Sequence, residues 1–244
     1  GAGGTILQWD GSKWLQMTSP TKQALYAIDA DKSTGFACAV GGQGTIITCK
    51  NGVWTKKNLG SSANLKACAV ASSNTILVGG ERGELYRSSD AGETWSRIEA
   101  TNSWIESISF AGPNKGIMVC DDGKAYYTTN GGETWIKSDT ELKFRPFAGW
   151  GVKGPEVTAA LRDCCMSSET EAWACCEQGA VFKSMDGGKT WKLYDELVKH
   201  EPLLAIDILP GGNGWSAGAY NRFYDTVPIK RVMNGKWSNE AVTT

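Results

Sequence analysis

A turn that ends in tryptophan recurs along this chain about every 40 residues. The six closing tryptophans are 40, 41, 40, 56 and 46 residues apart. The three full copies are Ser88–Trp95, Thr128–Trp135 and Ser184–Trp191, and the three shorter copies are Trp9–Trp14, Lys50–Trp54 and Met233–Trp237. A period that holds over all 244 residues predicts a repeat array.

Each copy has the composition of a β-hairpin. Its Asp or Asn can accept hydrogen bonds from backbone N–H groups of its own turn, and its glycine supplies a positive φ. Short strands precede each turn, as at Ile76–Gly80 and Ala180–Lys183. The repeat therefore holds four strands, A to D, which is the size of a propeller blade. We expect an all-β fold, a β-propeller of four-stranded antiparallel blades in a single domain over residues 1–244.

The six copies predict six blades, of which the first is incomplete because its A strand is missing before Gly1. Five complete blades with an added hairpin are the alternative. The content of 30 glycines and 11 tryptophans beside 7 prolines suits many tight turns, each packed by an indole. These turns account for a composition that would otherwise be unusual for a globular chain.

The motif S-x-D-x-G-x-T-W at Ser88–Trp95 and Ser184–Trp191 resembles the Asp-box (BNR) repeat, with Thr and Asn replacing Ser and Asp at Thr128–Trp135. The longer stretch Val40–Ile47, with Asn51–Trp54, resembles blades of the photosystem II stability and assembly factor propellers. The resemblance implies the fold, and it implies a partner such as a membrane or photosynthetic complex. The same box occurs in sialidases, sortilin-type receptors and fungal cellulases, so it does not select one activity. The box residues expected to be structural are Asp90, Trp95, Asn130, Trp135, Asp186 and Trp191.

Charge and composition exclude several function classes. With 25 basic and 26 acidic residues the net charge is −1, which argues against nucleic-acid binding. We expect no membrane span, because the sequence contains no long apolar run. The chain has a single histidine, His200. A Ser-His-Asp or Cys-His unit would have to use this one residue, and a metal site with several histidines is excluded. We therefore expect neither a metal nor a cofactor.

Six of the eight cysteines form apparent pairs across predicted hairpins. A two-residue turn at Gln43-Gly44 would place cysteines opposite each other on strands B and C, and a turn around residues 167–171 would do the same for the two strands that it joins. The predicted pairs are Cys38–Cys49, Cys165–Cys175 and Cys164–Cys176. Three opposed pairs favour disulfides and a lumenal or extracellular location. The alternatives are buried reduced thiols and, since C-x-x-C spacing is missing, a less favoured zinc site. Cys68 and Cys120 have no local partner and either pair between blades or stay free.

The loops on one face of the predicted propeller are the candidates for partner binding. The D–A connection after Trp135 holds about 13 extra residues, several of them aromatic or basic. The last B–C connection, residues 220–228, is also expanded. The candidate contact residues are Lys143, Phe144, Arg145, Phe147, Trp150, Arg222, Tyr224 and Arg82. The aromatic residues could instead plug the central channel.

The remaining B–C turns would add Gln43, Asp122 and Gln178 to the same face, although solvation alone explains such residues equally well. Sialidase chemistry fits this chain poorly. It has only seven arginines, and Phe144-Arg145-Pro146 differs in order and place from the sialidase F-R-I-P motif. We expect a non-enzymatic protein-binding propeller, an assembly factor or peripheral subunit of a larger complex. The alternatives are a glycan-binding lectin that uses Trp104, Trp150 or Trp215 and, more remotely, a sialidase-type glycoside hydrolase.

Overall fold

Strands dominate the computed structural model of the protein, which describes residues 1–146, 154–196, 202–219, 229–233 and 236–239. Within these ranges the strands form four-stranded antiparallel sheets, which confirms the predicted all-β architecture. Two single-turn 3-10 helices lie at Ala2–Gly4 and Glu81–Gly83. The chain divides into two compact units, residues 1–105 and 106–244.

The first unit contains one two-stranded hairpin and two four-stranded sheets, which we name sheet I and sheet II. Within each sheet the strands follow chain order from one edge to the other, as a repeated meander predicts. The hairpin is β1 (Leu7–Trp9) and β2 (Trp14–Gln16); sheet I is β3 (Leu25–Ala30), β4 (Ala37–Gly41), β5 (Ile46–Lys50) and β6 (Val53–Lys57); sheet II is β7 (Leu65–Val70), β8 (Ile76–Gly80), β9 (Leu85–Ser88) and β10 (Ser96–Arg97).

The described part of the second unit contains three four-stranded sheets, III to V, and one short two-stranded pair. Sheet III begins at the last residue of the first unit. Sheet III is β11 (Ile105–Phe110), β12 (Gly116–Cys120), β13 (Ala125–Thr128) and β14 (Ile136–Lys137); the short pair is β15 (Lys143–Phe144) and β16 (Val157–Thr158). Sheet IV is β17 (Leu161–Met166), β18 (Ala172–Cys176), β19 (Ala180–Ser184) and β20 (Lys192–Glu196); sheet V is β21 (Leu203–Ile208), β22 (Gly214–Gly218), β23 (Ile229–Met233) and β24 (Lys236–Asn239).

A β-bulge recurs at the second residue of the first strand in four of the sheets. The register between the first two strands shifts there in sheets I, II, IV and V. The bulged residues are Tyr26, Lys66, Arg162 and Leu204. Because a bulge re-aims a side chain, it releases these residues from the alternation of the strand. The recurrence shows that the sheets are structurally equivalent.

Each unit buries its own apolar cores. In the first unit, side chains of sheets I and II, among them Val40, Ile46, Leu65 and Ile76, form one cluster. In the second unit, one cluster includes side chains of β12, β17, β18 and β19, and another includes side chains of sheets IV and V. The largest fully buried side chain is Trp173, on β18. Sheet-on-sheet burial of this kind supplies the main favourable free energy of an all-β fold.

The predicted pair Cys38–Cys49 is not formed, because the register between β4 and β5 differs by one residue from the prediction. Gly41 N–H donates to the carbonyl oxygen of Thr45, so three residues rather than two lie in the turn. Cys38 is therefore opposite Thr48, and Cys49 is opposite Ala37. A one-residue shift moves a side chain to the other face of the sheet, so the two thiols point to opposite faces.

The cysteines of β17 and β18 also differ from the predicted pairing. Cys165 is opposite Trp173 and Cys164 is opposite Ala174, so Cys175 and Cys176 are diagonal neighbours of the predicted partners rather than facing residues. Cys164 and Cys176 belong to one core cluster, and Cys165 and Cys175 to another. All eight cysteines of the chain are buried free thiols. None of the three predicted disulfides is present in this structure.

Candidate functional site

The turns between the third and fourth strands of sheets II and IV are held by side-chain hydrogen bonds. Asp90 accepts hydrogen bonds from the Thr94 hydroxyl at 2.6 Å and from the Thr94 N–H at 2.9 Å. The Ser88 hydroxyl donates to Asp90 at 2.8 Å and accepts from the Gly92 N–H at 2.8 Å. These bonds, that of the Thr94 hydroxyl first, lower the pKa of Asp90 to about 2. The carboxylate is therefore saturated by its own turn and is a poor general acid.

The turns at Asp186 and Asn130 have the same construction. Asp186 accepts from the Thr190 hydroxyl at 2.6 Å and from the Thr190 N–H at 2.8 Å. In the third turn, the amide of Asn130 donates to the Thr134 hydroxyl at 2.9 Å and accepts from the Thr134 N–H at 3.1 Å. Neutral Asn replaces charged Asp without loss of these bonds, because the Thr134 hydroxyl can accept a hydrogen bond from the amide where the other threonines donate one to the carboxylate.

The box tryptophans pack inward beside these turns. Trp95 packs against the core cluster of sheets I and II, and Trp135 meets Phe110 edge-to-face with ring centroids 6.1 Å apart. Trp191 is buried, and its indole N–H donates to the carbonyl oxygen of Gly188 at 3.0 Å. The side chains of these turns between the third and fourth strands are thus engaged in holding the fold. The turns between the second and third strands lie at the other ends of the strands.

At those ends, the turns between the second and third strands are fixed by a glycine. In sheet II this turn is Glu81–Gly83, and Gly83 has φ +70. A Cβ atom on Gly83 would lie 1.8 Å from the carbonyl oxygen of Thr101. Only glycine fits there, because the conformation is left-handed and the neighbouring connection approaches the backbone closely. Arg82, at the middle of the turn, also has positive φ, and its side chain is exposed.

A polar cavity of about 430 Å³, which we call the Arg82 pocket, adjoins this turn in the first unit. It is lined by Gly60, Ser61, Ser62, Ala63, Glu81, Arg82, Glu84 and Tyr86. The Oε2 atom of Glu84 accepts hydrogen bonds from the Ser61 hydroxyl at 2.6 Å and from the Tyr86 hydroxyl at 2.8 Å. Burial and the neighbouring Glu84 carboxylate raise the pKa of Tyr86, so the phenol stays protonated and donates.

Two groups of the pocket keep unused hydrogen-bonding capacity. Among the described residues, the Arg82 guanidinium has no hydrogen-bond or ion-pair partner, and neither has the Oε1 atom of Glu84. Glu81 is committed, since it accepts from the Asn64 side chain at 2.8 Å and from the Asn64 N–H at 3.4 Å. Asn64 in turn accepts from the N–H of Gln43 at 3.3 Å. The pocket therefore offers one free cation and one free carboxylate oxygen on a rigid rim.

In the equivalent turns of sheets III and IV, one carboxylate of each turn is paired with a cation. Glu177 in the turn of sheet IV bonds Arg162, the bulged residue of β17, and Arg162 also lies 3.4 Å from Glu106. Gln178 accepts from the N–H of Ala160 at 3.1 Å. In sheet III, Asp122 is paired with Lys124. Of the predicted polar turn residues, Arg82 alone among these described turns presents an unpaired charge.

The predicted contact residues of the long connection divide into two groups. Phe144 is a core residue, 4% exposed, and packs edge-to-face on Phe182 with centroids 6.4 Å apart, so its assignment to a contact surface was wrong. Arg145 is exposed, and Lys143 is exposed and paired with Glu141 at 2.8 Å. The other predicted contact residues, Phe147, Trp150, Arg222 and Tyr224, lie outside the described residues.

The sequence prediction missed Ser61, Glu84 and Tyr86, which make the Arg82 pocket. Their one signal was position, because residue 61 lies in a D–A connection and residues 84 and 86 follow a B–C turn. Within the described ranges, no group of three or more His, Cys, Asp or Glu residues is placed to hold a metal ion. Over the same ranges no helix has the length and apolar character needed to cross a membrane.

Known proteins resemble this chain in fold. A family profile described as Sortilin-Vps10, sortilin or neurotensin receptor 3, matches residues 83–202, slightly under half of the chain. No curated protein matches the chain by sequence. The structure is similar to virginiamycin B lyase from Staphylococcus aureus, with a TM-score of 0.76 and 12% identity, over 99% of this chain and 78% of that chain.

Two further structures show likenesses of the same kind. The WD40 β-propeller domain of Doa1 is similar over 97% of this chain and 75% of that chain, with a TM-score of 0.67 and 14% identity. YCF48 bound to a D1 peptide is similar over 72% of this chain, with a TM-score of 0.52 and 18% identity. The chain covers 54% of that YCF48 chain. At such identities the likenesses show the fold alone, which is a β-propeller fold.

Proposed function

We propose that this chain is a non-enzymatic, protein-binding propeller that takes a peptide segment of its partner at the Arg82 pocket. The proposal rests on one observation: the Arg82 guanidinium and the Oε1 atom of Glu84 belong to residues that line the same pocket, and neither group has a partner among the described residues. A peptide with one acidic and one basic side chain satisfies both groups, whereas a ligand of single charge satisfies one and is repelled by the other. The likeness to YCF48 bound to a D1 peptide supports peptide recognition by this fold.

The finer assignments belong to the same proposal. We assign the three box turns to the Asp-box type because their Ser, Asp and Thr side chains form one repeated hydrogen-bond pattern. We count the described four-stranded sheets as five blades and the hairpin β1–β2 as two strands of a sixth, incomplete blade. The biological role would be that of an assembly factor or peripheral subunit of a larger complex, in a lumenal or extracellular compartment.

A phage-displayed library of random peptides tests the binding function even before the partner is identified. We expect wild-type protein to enrich mixed-charge peptides, and the variant Arg82→Ala to lose that enrichment. The matched control is Lys56→Ala, which removes an exposed cation of strand β6 that does not line the pocket. Equal enrichment by both variants would place the binding elsewhere and refute the assigned pocket.

A lectin is the second candidate, supported by the exposure of Trp104 and Trp215, at 40% and 48%. Cations already stack on both rings, Lys66 at 4.9 Å from Trp104 and Arg231 at 5.4 Å from Trp215, which leaves less ring surface for a sugar. A glycan array run beside the peptide selection separates the two functions. Specific glycan binding that is lost in Trp104→Ala or Trp215→Ala, with no peptide enriched, would favour the lectin.

A further inference from the structure

Two cysteines of the first unit that are 30 residues apart in sequence meet between sheets I and II. The Cys68 thiol on β7 donates a hydrogen bond to the carbonyl oxygen of Cys38 on β4 at 3.5 Å. Cys38 is fully buried and Cys68 is 7% exposed, and both belong to the same core cluster. The contact brings the Cys68 thiol against the backbone of Cys38 across the gap between the two sheets, inside one core cluster.

From this contact we infer that Cys38 and Cys68 form a disulfide that clips sheet I to sheet II. The pair differs from every pairing along a hairpin, since it joins the second strand of one sheet to the first strand of the next. This inference is independent of the proposed peptide binding. It makes the cysteine pair a modification site whose state depends on the redox potential of the compartment.

The second unit shows which part of the arrangement is specific. Leu161-Arg162-Asp163-Cys164 on β17 repeats the pattern Leu65-Lys66-Ala67-Cys68 on β7. At the position equivalent to Cys38, the second residue of the preceding second strand, β12 carries Ile117, which lies in the same cluster as Cys164. Cys164 has an apolar neighbour where Cys68 has a thiol, so it serves as an internal control.

The oxidant we name is a low-molecular-weight disulfide, of the class of oxidised glutathione. The Cys68 thiolate attacks one of its sulfur atoms and releases one reduced glutathione, and Cys38 then attacks the mixed disulfide and releases the second. Two thiols lose two electrons, the glutathione disulfide gains them, and the two protons pass to the released thiolates. Hydrogen bonding to Cys38, together with burial, raises the pKa of Cys68, so the exchange belongs to folding rather than to the closed native state.

Peptide mapping of the refolded full-length chain tests the inference. The reduced chain is refolded from urea in a glutathione redox buffer, alkylated, digested with trypsin and analysed without reduction. Trypsin releases Cys38 in peptide 33–50, together with Cys49, and Cys68 in peptide 67–82. We expect these peptides to be linked, with fragmentation locating the bond at Cys38.

The variants distinguish the geometry from general oxidation. The link should persist in Cys49→Ala and Cys164→Ala, and it should disappear in Cys38→Ala and Cys68→Ala. Complete alkylation of all eight cysteines in the refolded wild type would overturn the inference. A link that survives in Cys38→Ala would overturn it as well. The wild-type spectrum decides the question even if one of the alanine variants fails to fold.

Discussion

The buried carboxylate of Asp163 should make the stability of the protein depend on pH. Asp163 lies on β17, and its Oδ1 atom accepts from the Ser107 hydroxyl at 2.7 Å and from the Cys164 N–H at 2.9 Å. Its Oδ2 atom accepts from the N–H of Ile206 on β21 at 2.8 Å. Burial nonetheless raises the pKa of Asp163 from 3.8 to about 6, and the charge of Asp207 contributes in the same direction.

The sign of the effect follows from the two pKa values. The folded protein binds this proton more tightly than the unfolded chain does, so its contribution to stability is complete below about pH 4 and is lost as the pH rises through about 6. The difference between about 6 and 3.8 corresponds to about 3 kcal/mol. Because the residue keeps some exposure to solvent, we expect a loss of about 2–3 kcal/mol between pH 4 and pH 7.

The variant Asp163→Asn removes the titration and keeps the shape. Its amide can retain one oxygen for the two donors at Oδ1, but its NH2 group faces the N–H of Ile206, which costs about 1–3 kcal/mol at every pH. Urea unfolding followed by tryptophan fluorescence at pH 4, 5, 6 and 7 should find the variant clearly less stable at pH 4 and equal or more stable at pH 7. The exposed Asp195→Asn is the control. A difference from wild type that stays constant within about 0.5 kcal/mol across this range would refute the reasoning.

Three further predictions concern the backbone, a turn and the proposed disulfide. Gly41→Ala should destabilise the protein by about 3 kcal/mol, because its Cβ would lie 1.9 Å from the carbonyl oxygen of Ala24. The control Gly42→Ala should be near neutral, since its Cβ would meet no atom closer than 3.5 Å. Thermal unfolding compares the two variants. Ser184→Ala should cost about 1–3 kcal/mol in urea unfolding, because it leaves a buried turn N–H without its acceptor. Closing the loop of about 30 residues between Cys38 and Cys68 should stabilise the protein by about 3–4 kcal/mol, so calorimetry should give the oxidised form a Tm higher by on the order of 10 °C.

The repeat made the architecture predictable from the sequence. The predicted strand Ile76–Gly80 agrees with β8, and the predicted strand Ala180–Lys183 agrees with β19 to within one residue. Turn glycines and alternating apolar residues mark such elements locally, so no tertiary information is needed. The repeated local pattern was sufficient for the sheets.

Register and burial were harder to predict, because they depend on neighbours outside the local pattern. The run Gly41-Gly42-Gln43-Gly44 can form a two-residue or a three-residue turn, and the following connection decides, since the Gly44 N–H donates to the carbonyl oxygen of Ala63 at 2.7 Å. From the sequence, Phe144 lies in a long loop. In the structure β15 pairs with β16, and the Phe144 ring is part of the core. The bulge at the start of the first strand in sheets I, II, IV and V leaves no sequence signature of its own.

The buried polar side chains on the first strands of the sheets are there for a common physical reason. The first strands of neighbouring sheets belong to different sheets, so some of their N–H groups lack a ladder partner and need another acceptor. Asp29 accepts from Val70 at 2.8 Å, Ser109 accepts from Met166 at 3.0 Å, and Asp163 accepts from Ile206. Burying a carboxylate for this purpose raises the pKa of Asp29, as it does that of Asp163. Such shifted carboxylates therefore have a structural explanation and do not by themselves indicate catalysis.

The equivalent turns of sheets II and IV differ in how their charged residues are paired. Gly83, against which the Thr101 carbonyl packs closely, fixes the conformation of the turn Glu81–Gly83. The middle residue, Arg82, can therefore vary without cost to the fold. In sheet IV the glutamate of that turn, Glu177, forms an ion pair with Arg162, the bulged residue of β17. In sheet II the glutamate is bound by the neutral Asn64, which leaves the charge of Arg82 uncompensated at the rim. Because Gly83 and its close neighbour Thr101 already fix the backbone of this turn, only the side-chain rotamers of Arg82 would lose entropy when a carboxylate bound its guanidinium.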